Sequence, residues 1–66
     1  MPVRVLEFRL GRPEILDDLL HEFGLDTDAS ASVRDGVLVV QTSDTASAAW
    51  SVRATVRSFD ESAVEL

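Results

Sequence analysis

At 66 residues and without a cysteine, this chain is expected to form one small domain (residues 1–66) with no disulfide and no thiolate metal site, and its lone His21 argues against a protein-only zinc site. A chain of this size buries only roughly 60% of the surface its unfolded form exposes, so its core is marginal and association with another protein is the remaining common source of stability. Twelve acidic residues stand against six basic ones, all arginine; this net charge of -6 argues against direct nucleic-acid binding and suits a salt-rich archaeal cytoplasm, with a high-GC bacterium as the alternative.

Met1-Pro2-Val3-Arg4-Val5 lacks the uninterrupted apolar run of a signal peptide, and no stretch approaches the roughly 20 apolar residues of a membrane span, so a cytoplasmic protein without membrane contact is expected. Val3 to Leu10 reads as a strand. Leu6, Phe8 and Leu10 point to one side, the expected core; Val3, Val5, Glu7 and Arg9 point to the other. Gly11-Arg12 turns the chain, and Pro13 opens a helix whose apolar stripe is Ile15, Leu16, Leu19, Leu20 and Phe23. Glu14, Asp17 and Asp18 lie near its positive end, and Gly24 is placed to end it as a left-handed residue. A brief acidic connection runs from Leu25 to Asp28.

Asp35-Gly36 joins two alternating runs, Ala29–Arg34 and Val37–Thr42, and a two-residue Asp-Gly loop needs positive φ at both central positions. This register predicts Val33 opposite Leu38 and Ala31 opposite Val40. The small residues leave room for a helix to lie across them, and the helix that follows is the candidate. Ser43-Asp44 is the expected N-cap of that second helix, which begins near Thr45. Ala46, Ala49, Val52, Val56, Phe59 and Ala63 form its stripe, flanked by Trp50 and Ala54; Leu66 extends it unless Asp60-Glu61-Ser62 breaks the helix first.

The expected fold is therefore α+β, in the order β-α-β-β-α, with a three-stranded sheet and two helices packed on one face. Val3, Val5, Val37 and Val39 then line the opposite face, which reads as an interface or, more simply, as ordinary strand formers among polar residues.

No residue pattern marks a catalytic centre. His21 has no second histidine and reads as a solvent-edge residue; Asp17-Asp18 reads as a solvated helix face. There is no G-x-S-x-G elbow, no Ser-x-x-Lys pair and no phosphate-cradling glycine loop, so neither a catalytic residue nor a cofactor is expected. Trp50, Arg53 and Arg57 cluster on consecutive turns of the second helix beside Val56, a composition typical of binding hot spots; the alternative is that Trp50 caps the core edge and the arginines are solvated or paired with nearby acids. The predicted partner-binding residues are Trp50, Arg53, Val56, Arg57, Val37 and Val39.

Asp35-Gly36-Val37-Leu38-Val39-Val40, Asp44, and Val52-Arg53-Ala54-Thr55-Val56-Arg57-Ser58 together resemble the later half of the KEOPS complex small accessory subunits (the Pcc type, related to the CTAG proteins). Arg57 stands where that family usually has asparagine, which fits a divergent paralogue. The resemblance implies a non-catalytic subunit, a homodimer or paralogue heterodimer, that docks the catalytic subunit of the complex making threonylcarbamoyladenosine on tRNA. Pro2, followed by a strand and Gly11-Arg12, also resembles the start of the small tautomerases, which implies an alternative in which Pro2 is the general base and Arg12 the carboxylate binder. A stand-alone acidic protein-binding domain is the third alternative.

Overall fold

The computed structural model describes residues 2–25 and 29–66; the predicted connection at 26–28 lies outside them. Strand β1 (Val3–Arg9) leads through a single 3-10 turn (Pro13–Ile15) into helix α1 (Leu16–Gly24). Strands β2 (Ala29–Arg34) and β3 (Val37–Ser43) follow, then helix α2 (Ala46–Phe59) and a short strand β4 (Val64–Glu65). The four strands form one antiparallel sheet in the order β2-β3-β1-β4, with β3 and β1 at its centre.

The hairpin forms as its turn chemistry requires: Asp35 has φ 53° and Gly36 φ 76°, the left-handed pair of a type I′ turn. Val33 pairs with Leu38 and Ala31 with Val40; on the other side of β3, Leu6 pairs with Val40 and Phe8 with Leu38. One sheet face thus carries Leu6, Phe8, Leu38 and Val40, and these meet Ile15, Leu19 and Phe23 from the first helical segment and Ala49, Val52 and Val56 from α2. Both helices cover this one face.

The sheet has four strands, not three, because α2 stops at Phe59. The Asp60 N–H makes the last helical bond, to the Val56 carbonyl, while Asp60 itself turns to an extended conformation. Ala63 and Leu66 therefore leave the helical stripe: Ala63 N–H closes a turn onto the Asp60 carbonyl, and Leu66 N–H bonds the Glu7 carbonyl on β1.

Three smaller corrections have local causes. Helix α1 does not need a left-handed Gly24, because Leu25 N–H folds back onto the Glu22 and Phe23 carbonyls and satisfies that end with a tightened turn. The helix lying over the small residues of β2 is α1, while α2 crosses β3; the bulk of Leu19 and Phe23 complements Ala29 and Ala31. The cap of α2 is Thr45, whose Oγ1 accepts from Ala48 N–H at 3.1 Å, leaving Asp44 free to pair with Arg4 at 3.1 Å.

Thr45→Ala is expected to destabilise the fold by about 1 kcal/mol, the usual worth of an N-cap, and Asp44→Ala by less. Urea denaturation of both variants measures the difference, and the reverse ranking would return the cap to Asp44.

Candidate functional site

The turn that ends α2 builds the surface of interest. Asp60 is 3% exposed, and its carboxylate accepts from the Ser62 hydroxyl at 2.6 Å, Ser62 N–H at 2.9 Å and Arg12 N–H at 3.0 Å. Gly11 passes so close that a Cβ there would collide with Ser62 Oγ. The Ser62 hydroxyl first, then the backbone N–H groups of Ser62, Arg12 and Gly11, hold the Asp60 carboxyl below its ordinary range.

Past this turn, Glu65 comes off β4 on the helix side of the sheet and meets Arg53 of α2 in a two-point ion pair, Nε to Oε1 at 2.6 Å and Nη2 to Oε2 at 3.1 Å. The hydrogen bond from Arg53 is the main reason the Glu65 carboxyl lies below its ordinary value, and the same contact raises Arg53. Between α2 and β4 lies a groove of about 350 Å³. Phe8, Val56 and Ala63 back it; Trp50, Ala54 and Arg57 flank it; the Arg53–Glu65 pair closes one side. Arg53 and Glu65 cancel in charge, so Arg57 leaves the groove net positive on an acidic protein.

Four of the six predicted partner-binding residues gather here and two do not. Trp50 is 71% exposed at the groove and Arg57 is exposed, as expected for a surface cluster. Arg53 is engaged by Glu65. Val56 is fully buried and serves as backing from the core, so it is not a contact residue in its own right; its position on the α2 stripe turns it towards the sheet. Val37 and Val39 are half-buried on the opposite sheet face and form a separate surface. Phe8, Ala54, Ala63 and Glu65 were missed as groove residues. The alternation of Ala63-Val64-Glu65-Leu66 behind an Asp-Glu-Ser turn is the signal that could have found the last two.

The remaining candidates are scattered. Pro2 and Arg12 stand beyond opposite ends of β1, whose seven residues at ~3.3 Å each separate them by more than about 20 Å within one chain. The Arg12 side chain is moreover held by Glu14 at 3.3 Å. His21, Asp17 and Asp18 are exposed on α1. Among the described residues, no group of three or more His, Cys, Asp or Glu side chains could hold a metal ion, and no helix is long and apolar enough to cross a membrane.

Comparison with protein-family models, with curated proteins and with solved structures finds no match to this chain.

The two lowered carboxyls set a direction for acid sensitivity. As pH falls, the unfolded chain takes up protons at Asp60 and Glu65 before the folded chain does, so their contribution is complete above the ordinary carboxylate range and is lost as pH drops through the folded values. Urea midpoints are expected to fall below about pH 4, where ordinary carboxylates titrate. Asp60→Asn should make that decline shallower; an unchanged slope would mean that the Asp60 turn adds nothing to acid stability.

Proposed function

We propose that this chain is a non-catalytic docking subunit that holds a protein partner in the groove between α2 and β4. The single observation that carries this reading is Trp50, 71% exposed beside an apolar groove that is already shaped. Tryptophan and arginine are among the residue types most enriched where binding energy concentrates, and Trp50 and Arg57 both line this groove. Small Ala54 and Ala63 leave space for an incoming apolar side chain, and the positive balance of the groove favours a partner segment with carboxylates beside its apolar anchor.

The assembly proposed is the KEOPS-like complex that makes threonylcarbamoyladenosine on tRNA, the partner being its catalytic subunit and the setting a salt-rich archaeal cytoplasm. The Asp35-Gly36 hairpin, the Arg53-Ala54 pair on the long second helix and the placement of both helices on one sheet face support that choice. The net charge of -6 assigns tRNA contact to the partners.

Trp50→Ala is expected to weaken the complex with that catalytic subunit about 30-fold, the loss of roughly 2 kcal/mol typical of a hot spot, with the urea midpoint of the isolated chain almost unmoved. Calorimetry with the purified partner reads the first quantity and denaturation the second. Equal affinity of wild type and variant would remove the groove from the interface, and no binding by wild type at all would remove the KEOPS assignment.

A further inference from the structure

Three of the six arginines in this acidic chain act on one carboxylate. Glu65 accepts from Arg53 Nε at 2.6 Å and from Nη2 at 3.1 Å, and the charges of Arg4 and Arg57 also reach it. Arg4 is itself paired with Asp44, whereas Arg57 is exposed beside the groove and makes no ion pair among the described residues. Arg53 and Arg57 stand one helical turn apart on α2, so both guanidinium groups line the same groove. Two such planar forks beside an apolar wall suit a carboxylate that carries an apolar group.

The segment that carries Glu65 is thinly held. Strand β4 pairs with β1 through Val64 and Glu65 alone, extended by the Leu66 N–H on the Glu7 carbonyl. Val64 is 58% exposed and Leu66 59%, and no side chain from Val64 to Leu66 is buried. The root of the segment is firm by contrast. Asp60 is buried and bonded to Ser62 and Arg12, and Ala63 packs against the core. Movement from Val64 onward therefore costs one exposed ion pair and a short backbone ladder, while the end of α2 stays fixed.

We infer that Glu65 is a built-in occupant of a carboxylate site formed by Arg53 and Arg57, and that a carboxylate of the docked protein segment takes its place; this rests on the groove being the docking surface. The exchange is like for like, since Arg53 keeps a two-point partner and Arg57 gains one. Glu65 is tethered, so its effective concentration at Arg53 exceeds that of a free carboxylate, and a simple acid such as acetate does not displace it. A carboxylate joined to an apolar side chain does, because burying that side chain between Ala54 and Ala63 offsets the advantage of the tether. Glu65 thus sets a threshold that rejects acidic segments without an apolar anchor.

The test is a titration followed by amide chemical shifts, with the capped peptide acetyl-Leu-Leu-Glu-Ala-amide and its glutamine counterpart as probes. Glu65→Gln is expected to bind the glutamate peptide about fivefold tighter than wild type, because the site no longer has to be vacated, and the glutamine peptide no differently. Arg53→Gln added to Glu65→Gln should cancel that gain. In wild type, saturation with the glutamate peptide should speed hydrogen exchange at the Leu66 amide, and acetate should leave it unchanged. Circular dichroism establishes that each variant is folded. Glu61→Gln removes the same charge from the neighbouring exposed turn and should leave affinity unmoved; an equal gain there would reduce the effect to net charge and overturn the inference. So would a glutamate peptide held no tighter by Glu65→Gln, or one that binds neither protein at millimolar concentration. In the complex with the catalytic subunit, weakening by Trp50→Ala without tightening by Glu65→Gln would retire the Glu65 exchange alone. Unchanged affinity in Trp50→Ala beside the full peptide gain would retire the docking reading alone.

Discussion

A single carboxylate organises the C-terminal third of this protein. Asp60 gives up the helix at its own backbone and spends both side-chain oxygens on the segments around it, Ser62 ahead and Arg12 behind. Because one of those partners lies in the loop after β1, the end of α2 is tied to the end of the first strand. The chain then has one short route onward, along the free edge of β1, and that route becomes β4. The groove and the rim of the exposed sheet face both follow. Without the turn, Ala63 would continue the helical stripe and neither Glu65 nor Val64 would reach the sheet.

Most of the architecture could be read from residue order, and where it could not the reason is local. The hairpin was legible because Asp35-Gly36 admits few conformations and the flanking alternation fixes its register. The apolar spacing of Leu19 and Phe23, and of Ala49, Val52 and Val56, likewise marked which helix faces would be buried. Two residues of β4 were not legible as a strand, since Ala63 and Leu66 also fall at helical spacing from Phe59; a long-range hydrogen bond to Glu7 decided between the two periods. Thr45 rather than Asp44 caps α2, and Asp44 is instead held by Arg4 of β1. Neither Arg4 nor Glu7 is close in sequence to the residue whose role it settles.

The candidate site shows the same division. Trp50 and Arg57 were visible as surface residues on an amphipathic helix, but the groove beside them needs Phe8 from β1 and Glu65 from β4, which only the folded chain brings together. Val56 was misjudged for the opposite reason, being one turn from both exposed residues yet on the buried side of the helix. Val37 and Val39 belong to another surface altogether. With ten buried apolar side chains among the described residues, the fold has little stability to spare.

The only tryptophan in the sequence lies outside the core. Its indole is already in water in the native state, so its emission should change little when the chain unfolds and is a poor reporter of folding. The same wavelength should move to the blue when an apolar side chain enters the space beside it. A routine fluorimeter can therefore follow occupancy of this one surface with no label attached, while the integrity of the fold must be read from the backbone.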